Sequence, residues 1–373
     1  MYFKISKKNF YSSLSVAARG ISSYSPLPAF SGIKIEVNSD SIYLTGSDSD
    51  VSIQTFLTSN NDDYTLNISD EGSIVIEAKY ILEIVRKIDS DELELEIIDG
   101  SLTKISGSNT EFKINGIQAN EYPKLDFSKP QTSFRIKSSI LKEIIDQTVF
   151  ASSDKETRPV LTGVNFSASG TTLNCVATDS YRLAKKMVEL DSEMEFNITI
   201  PSKTLNEVVR ILEDSDEVEI AINSSKAQFI VNDTIIQTRL IDGVYPDTSK
   251  LIPLNFDYSL TIDKLEVLNA IDRASFIKND GISVVKLSLS ESASTVSTRA
   301  SEVGSSLETL NGANFKGNDL DISFNGRYVY EAIKVLNGTH IRFSFSGEMK
   351  PFIIEVLDNE TVLQLVLPVR TYA

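Results

Sequence analysis

Apolar residues recur at helical spacing in three stretches set the same distance apart. In 79–88 they fall at Ile81, Ile84, Val85 and Ile88, one face of an amphipathic helix. Moving 124 positions along gives Leu205, Val208, Val209 and Leu212 within 203–212, and 124 more gives Val329, Ala332, Ile333 and Leu336 within 327–336. Each helical stretch is followed by an alternating apolar and polar run, 93–97, 218–222 and 341–345, which predicts a strand with one face on a core. An earlier amphipathic helix is predicted to open each copy: 9–18 with Phe10, Leu14 and Ala17, 139–150 with Leu141, Ile144, Ile145 and Val149, and 264–276 with Val267, Ala270, Ile271 and Ala274.

A second repeat supports the first. At an offset of 131, Pro28 meets Pro159, Gly32 meets Gly163 and Asp48 meets Asp179, each within similar apolar runs. A weaker third copy runs from Gly281 to Leu289 and on to Arg299, and Tyr122-Pro123 is echoed by Tyr245-Pro246. These spacings predict three tandem α+β domains, 1–126, 127–250 and 251–373, each with helices on one face of antiparallel sheets. The pattern alone leaves open whether the helices are buried between sheets or face a space of their own.

Composition narrows the function classes. With 41% hydrophobic residues, 18 Phe and 13 Tyr, the chain has ample material for packed cores. No apolar run reaches the length of a membrane span. The N-terminal Met1 to Ile5 alternates like a strand and lacks the pattern of a signal peptide. The one cysteine, Cys175, excludes an internal disulfide and fits a reducing cytoplasm, and the one histidine, His340, removes most metal-binding and triad chemistry. Neither a phosphate-cradling glycine loop nor a clustered carboxylate set is present, so no catalytic residue, metal or cofactor is expected.

Thirty-six basic against 52 acidic residues give a net charge of −16, which disfavours nucleic acid unless the cations are segregated. They recur in a pattern. Lys79 and Arg86, Lys203 and Arg210, and Arg327 and Lys334 are each seven apart, about two helical turns, on the face away from the apolar set. One such pair would suit any solvated helix face. Three pairs at equivalent positions suggest cations aimed at phosphates, without sequence readout.

The sequence resembles the bacterial DNA polymerase III beta subunit family, the replicative sliding clamps, along its whole length. The resemblance rests on Arg158-Pro159-Val160-Leu161-Thr162-Gly163-Val164, on Val176-Ala177-Thr178-Asp179-Ser180-Tyr181-Arg182-Leu183-Ala184, and on Pro201-Ser202-Lys203 and Tyr245-Pro246-Asp247. It also rests on Phe324-Asn325-Gly326-Arg327-Tyr328, Met349-Lys350-Pro351-Phe352 and the ending Gln364-Leu365-Val366-Leu367-Pro368-Val369-Arg370-Thr371-Tyr372. It implies a head-to-tail homodimer, a closed ring of six domains with twelve helices around a hole for duplex DNA, no enzymatic activity and no membrane. The partners implied are the DNA polymerase III catalytic subunit, the clamp loader and repair proteins that carry short apolar peptides.

The implied peptide pocket comprises Arg158, Leu161, Thr178, Tyr181, Arg182, Leu183, Pro246, Leu251, Asn325, Tyr328, Met349, Pro351, Leu367, Pro368, Val369 and Arg370. The implied ring interface pairs Phe112 and Ile114 with Ser275 and Phe276 of the other protomer. Tyr24 stands where some relatives carry a DNA-contacting basic residue, so no contact is assigned there. Two other classes compete. An acidic repeat scaffold that binds only proteins would bury its helices, and a hydrolase would need a recurring acid pair.

Overall fold

The computed structural model describes residues 1–22, 27–214, 216–278, 281–357 and 359–370; Tyr24 and residues 371–373 lie outside them. Six α-helices occur among the described residues: α1 (Lys7–Ala17), α2 (Ala78–Lys87), α3 (Ser138–Thr148), α4 (Ser202–Ile211), α5 (Lys264–Ser275) and α6 (Gly326–Lys334). All six expected helices are present, with ends shifted by at most two residues. The strands expected after the second helix of each copy run Glu92–Asp99, Glu217–Ile222 and His340–Phe345. All strand pairs are antiparallel.

The sheets do not stop where the repeats do. A nine-stranded sheet joins the first copy to the second through Val51–Thr58 and Thr234–Arg239, with Ile53 opposite Ile236. A seven-stranded sheet joins the second to the third through Arg182–Pro201 and Asn359–Val366, with Leu183 opposite Leu365. Five- and four-stranded sheets complete the set. Through these shared sheets the chain also groups into two compact units, residues 1–139 with 207–240, and 140–206 with 241–373.

In the first unit Phe3 and Ile5 of one sheet, Ile33 and Ile35 of another, Phe10 and Leu14 of α1, and Ile81 and Val85 of α2 form one buried core. In the second unit Val285, Leu287, Phe343, Phe345, Val267, Ile271, Val329 and Ile333 do the same. Each such side chain stabilises the fold by about 1.5–3 kcal/mol. The helices therefore bury one stripe only. On the opposite face the side chains of Lys79, Arg86, Arg210 and Arg327 are 65%, 56%, 59% and 70% exposed, and Lys203 and Lys334 are also exposed. Helices so exposed do not fit the buried-helix scaffold.

The repeated residues have physical reasons. A Cβ on Gly32 would lie 2.6 Å from Val75 Cγ1, and one on Gly163 2.5 Å from the Ile200 carbonyl oxygen, so both strands begin too close to a neighbour for a side chain. Asp48 Oδ1 accepts the backbone N–H groups of Asp50 (3.1 Å) and Val51 (2.9 Å). Asp179 Oδ1 accepts those of Tyr181 (2.9 Å) and Arg182 (3.0 Å). The following serines, Ser49 and Ser180, both have positive φ, 86° and 78°. The shared aspartates are turn-makers. Cys175 is fully buried, and burial pushes its thiol pKa up, away from reactivity.

Candidate peptide groove and cationic helix faces

The second unit brings much of the proposed pocket together. Val176, Leu183, Ile353 and Leu365 form a small buried apolar cluster, with Tyr245, Ile252, Phe256, Leu363 and Leu367 packed against it. The Tyr245 hydroxyl accepts the Thr178 N–H at 3.0 Å, and burial raises the pKa of that hydroxyl. Thr178 Oγ1 donates to the Arg182 carbonyl oxygen at 2.6 Å and closes the turn. The strand Asn359–Val366 ends before Pro368, as expected of a residue without an N–H. The tail does not swing free: Leu367 N–H donates to the Tyr181 carbonyl oxygen (2.9 Å), Val369 N–H donates to that of Ser323 (2.7 Å), and Pro368 bridges to Phe324. Asn325, two residues on from Ser323, caps α6 by accepting the Arg327 N–H at 3.0 Å.

Arg182 is the centre of this region. Only 7% exposed, it donates from Nε to Asp179 Oδ2 at 3.0 Å and pairs through Nη1 with Glu331. Its guanidinium lies 4.5 Å from the Tyr328 ring and 5.3 Å from that of Phe150. Two carboxylates and two rings therefore hold one buried cation.

Burial divides the pocket residues. Tyr181, Leu251 and Met349 expose large apolar surface, at 60%, 51% and 52%, and Arg158, Pro246 and Arg370 are exposed as well. Pro351, Leu367, Pro368 and Val369 are half-buried. Leu161 and Leu183 are buried, 4% and 2% exposed, beneath the surface rather than on it. They can support a groove floor, but nothing touches them without rearrangement. Sequence reasoning missed Phe150, Tyr245 and Glu331. Glu331 had a readable signal, because Glu83, Glu207 and Glu331 recur at the same offset of 124.

Those glutamates also qualify the cationic stripe. Arg86 pairs with Glu83 at 2.7 Å, Arg210 with Glu207 at 2.6 Å and Arg327 with Glu331 at 2.8 Å. Lys79 pairs with Glu77 at 2.7 Å. The bond to Glu83 raises the Arg86 pKa and that to Glu331 raises the Arg327 pKa. The stripe is exposed but partly neutralised by its own helices.

Two of the sheet edges bear on assembly. Glu111–Asn115, carrying Phe112 and Ile114, ends the five-stranded sheet, and Gly304–Thr309 ends the four-stranded one. Phe112 and Ile114 are half-buried against their own core, whereas Phe276 is 84% exposed and Leu307, which sequence reasoning missed, 74%. Ser275 is half-buried, and its Oγ is buried with no hydrogen-bond partner.

Residues 1–126, 135–247 and 249–370 match the N-terminal, central and C-terminal domains of the DNA polymerase III beta subunit. The chain belongs to that family. It is 40% identical to the beta sliding clamp of Bacillus subtilis (strain 168) over 378 aligned residues, with 100% of both chains covered. It is similar to the crystal structure of the DNA polymerase sliding clamp from Bacillus subtilis, with a TM-score of 0.96, 39% identity and 100% of both chains covered. The beta chain from Streptococcus pneumoniae TIGR4 gives 0.95 at 32% identity, with 99% of this chain and 100% of that one covered. A beta subunit of this family is a sliding clamp, a non-catalytic processivity factor. No helix among the described residues is long and apolar enough to cross a membrane.

Proposed function

We propose that two copies of this chain close head-to-tail into a six-domain ring around duplex DNA, with domains at 1–126, 127–250 and 251–373. In the cytoplasm the ring tethers the DNA polymerase III catalytic subunit, the clamp loader and repair proteins. The observation that carries this reading is the set of equivalent helices that bury one stripe and expose Lys79, Arg86, Lys203, Arg210, Arg327 and Lys334 on the other. Phosphates reaching Arg86, Arg210 or Arg327 exchange for a carboxylate already bound, so each contact is weak and the ring slides. Topology rather than affinity then holds the DNA.

Exposed Phe276 and Leu307 beside an unpaired edge support protomer pairing against the edge that carries Phe112 and Ile114, since an uncovered edge otherwise invites aggregation. The apolar cluster under Tyr181, Leu251 and Met349 supports a groove for partner peptides with Leu and Phe anchors.

The test is retention on closed-circular against linear DNA after loading. Retention on circles with loss from open ends is expected. Phe276→Asp should give monomers near the 41.2 kDa chain mass that retain neither DNA. Equal retention on both DNA forms overturns the ring.

A further inference from the structure

Glu331 differs from its two equivalents in what it holds. Glu83 pairs with Arg86 and Lys87 of its own helix, both exposed. Glu207 pairs with Arg210 and, at 3.6 Å, with Arg19 on the surface. Glu331 instead takes one exposed and one buried arginine: Oε1 accepts from Arg327 Nε at 2.8 Å and Oε2 pairs with Arg182 Nη1. Arg327 belongs to the cationic stripe, and Arg182 anchors the turn that carries Tyr181 and receives the tail through Leu367 N–H. These groups also share an open space: Arg182, Arg327, Glu331, Phe150 and Lys203 line a cleft of about 630 Å³.

We propose that Glu331 is a positioning residue that couples the groove to the DNA face by sharing one carboxylate between Arg182 and Arg327. This rests on the reading of both surfaces given above. When a DNA phosphate draws Arg327 away, the carboxylate is left to Arg182 alone. The buried guanidinium is then held more firmly against Tyr328 and Phe150, the turn under Tyr181 is better ordered, and a peptide binds a preformed groove. The exposed Arg327–Glu331 pair limits the size of the effect. Pairs at i,i+4 stabilise helices modestly, so the coupling is about twofold in affinity. Linkage requires that peptide raise DNA affinity by the same factor.

The experiment titrates a fluorescein-labelled polymerase peptide with Leu and Phe anchors into the full chain, with and without a short duplex at matched ionic strength. The wild-type protein is expected to bind peptide about twofold more tightly with DNA. Glu331→Gln keeps the shape and one acceptor oxygen but not the charge, and should abolish the DNA dependence. Arg327→Gln leaves Glu331 to Arg182, and should bind peptide without DNA as tightly as wild type does with it. A residue that only stabilises the fold would change peptide affinity equally with and without DNA. Peptide and DNA that both bind wild type, but independently, overturn the coupling and leave the clamp reading intact. Coupling that survives in both variants also overturns it. Wild type that fails to bind one ligand overturns the coupling together with the reading beneath it.

Discussion

The turns at 48–51 and 179–182 have the same backbone and different chemistry. In each an aspartate accepts two N–H groups, a serine follows with positive φ, and the chain enters the strand that carries the sheet into the next copy. Even the neighbouring strand docks alike. Arg239 N–H donates to the Asp50 carbonyl oxygen at 3.3 Å, as Leu367 N–H does to that of Tyr181. After Asp48, however, come Asp50, Val51 and Ser52, with Ser52 hydrogen-bonded to Ser47 at 2.9 Å. After Asp179 come an exposed Tyr181, a buried and doubly paired Arg182, and Leu183 in an apolar cluster. A repeated scaffold thus provides equivalent junctions, and three side chains convert one of them into a candidate binding groove.

The sharpest way to break this comparison is to make the second turn like the first. Arg182→Val should leave the Asp179 and Glu331 carboxylates without their buried partner. That costs about 3–5 kcal/mol of stability, visible in thermal melts, with loss of peptide binding by roughly thirtyfold or more. Wild-type peptide affinity in a folded Arg182→Val protein would remove Arg182 from the groove. The reverse graft, Asp50→Tyr with Val51→Arg, should gain no peptide binding, because Glu207, the equivalent of Glu331, is already paired with Arg210 and Arg19, and Thr204 stands at the position equivalent to Tyr328.

A smaller effect separates scaffold from function. Asp48→Ala removes acceptors from two backbone N–H groups and should cost about 1–2 kcal/mol. Asp179→Ala loses the same acceptors and also one of the two carboxylates on Arg182, so it should cost about 1 kcal/mol or more beyond Asp48→Ala. Equal losses in denaturant titrations would mean that the Asp179–Arg182 pair adds nothing. Removing charge from the second-copy helix by Lys203→Ala with Arg210→Ala should change stability by less than about 0.5 kcal/mol. The salt slope of DNA binding should fall by less than about two units, since Glu207 already neutralises part of Arg210.

The smallest effect lies in the segment that leaves the first copy. Hydrogen bonds from Ser128 and Lys226 hold the Asp126 carboxyl down at about 2, from an ordinary 3.8. Its stabilising contribution is complete above about pH 4 and is lost as pH falls through about 2. Carboxyl NMR titration of Lys226→Met should show that midpoint moving up toward 3.8. An unmoved midpoint would leave Ser128 as its sole cause.

The helices, the strands that follow them and the threefold repeat were legible because periodicity is a local property of the chain. Glu331 could have been read as well, since it recurs with Glu83 and Glu207. Its partner could not, because Arg182 is 149 residues away and reaches Glu331 only once α6 packs beside the turn. Tertiary structure alone decided that Leu183 is buried while Tyr181 two residues before it is exposed, since residues two apart share one face of a strand and Tyr181 escapes that rule only by lying in the turn before the strand begins at Arg182. It decided too that the repeats share their sheets, because pairing of Ile53 with Ile236 and of Leu183 with Leu365 depends on edges that no single repeat contains. Periodicity and composition determined the elements and their apolar faces; the packing of distant segments decided which cations stay in water and which, such as Arg182 and Lys186, are drawn inside.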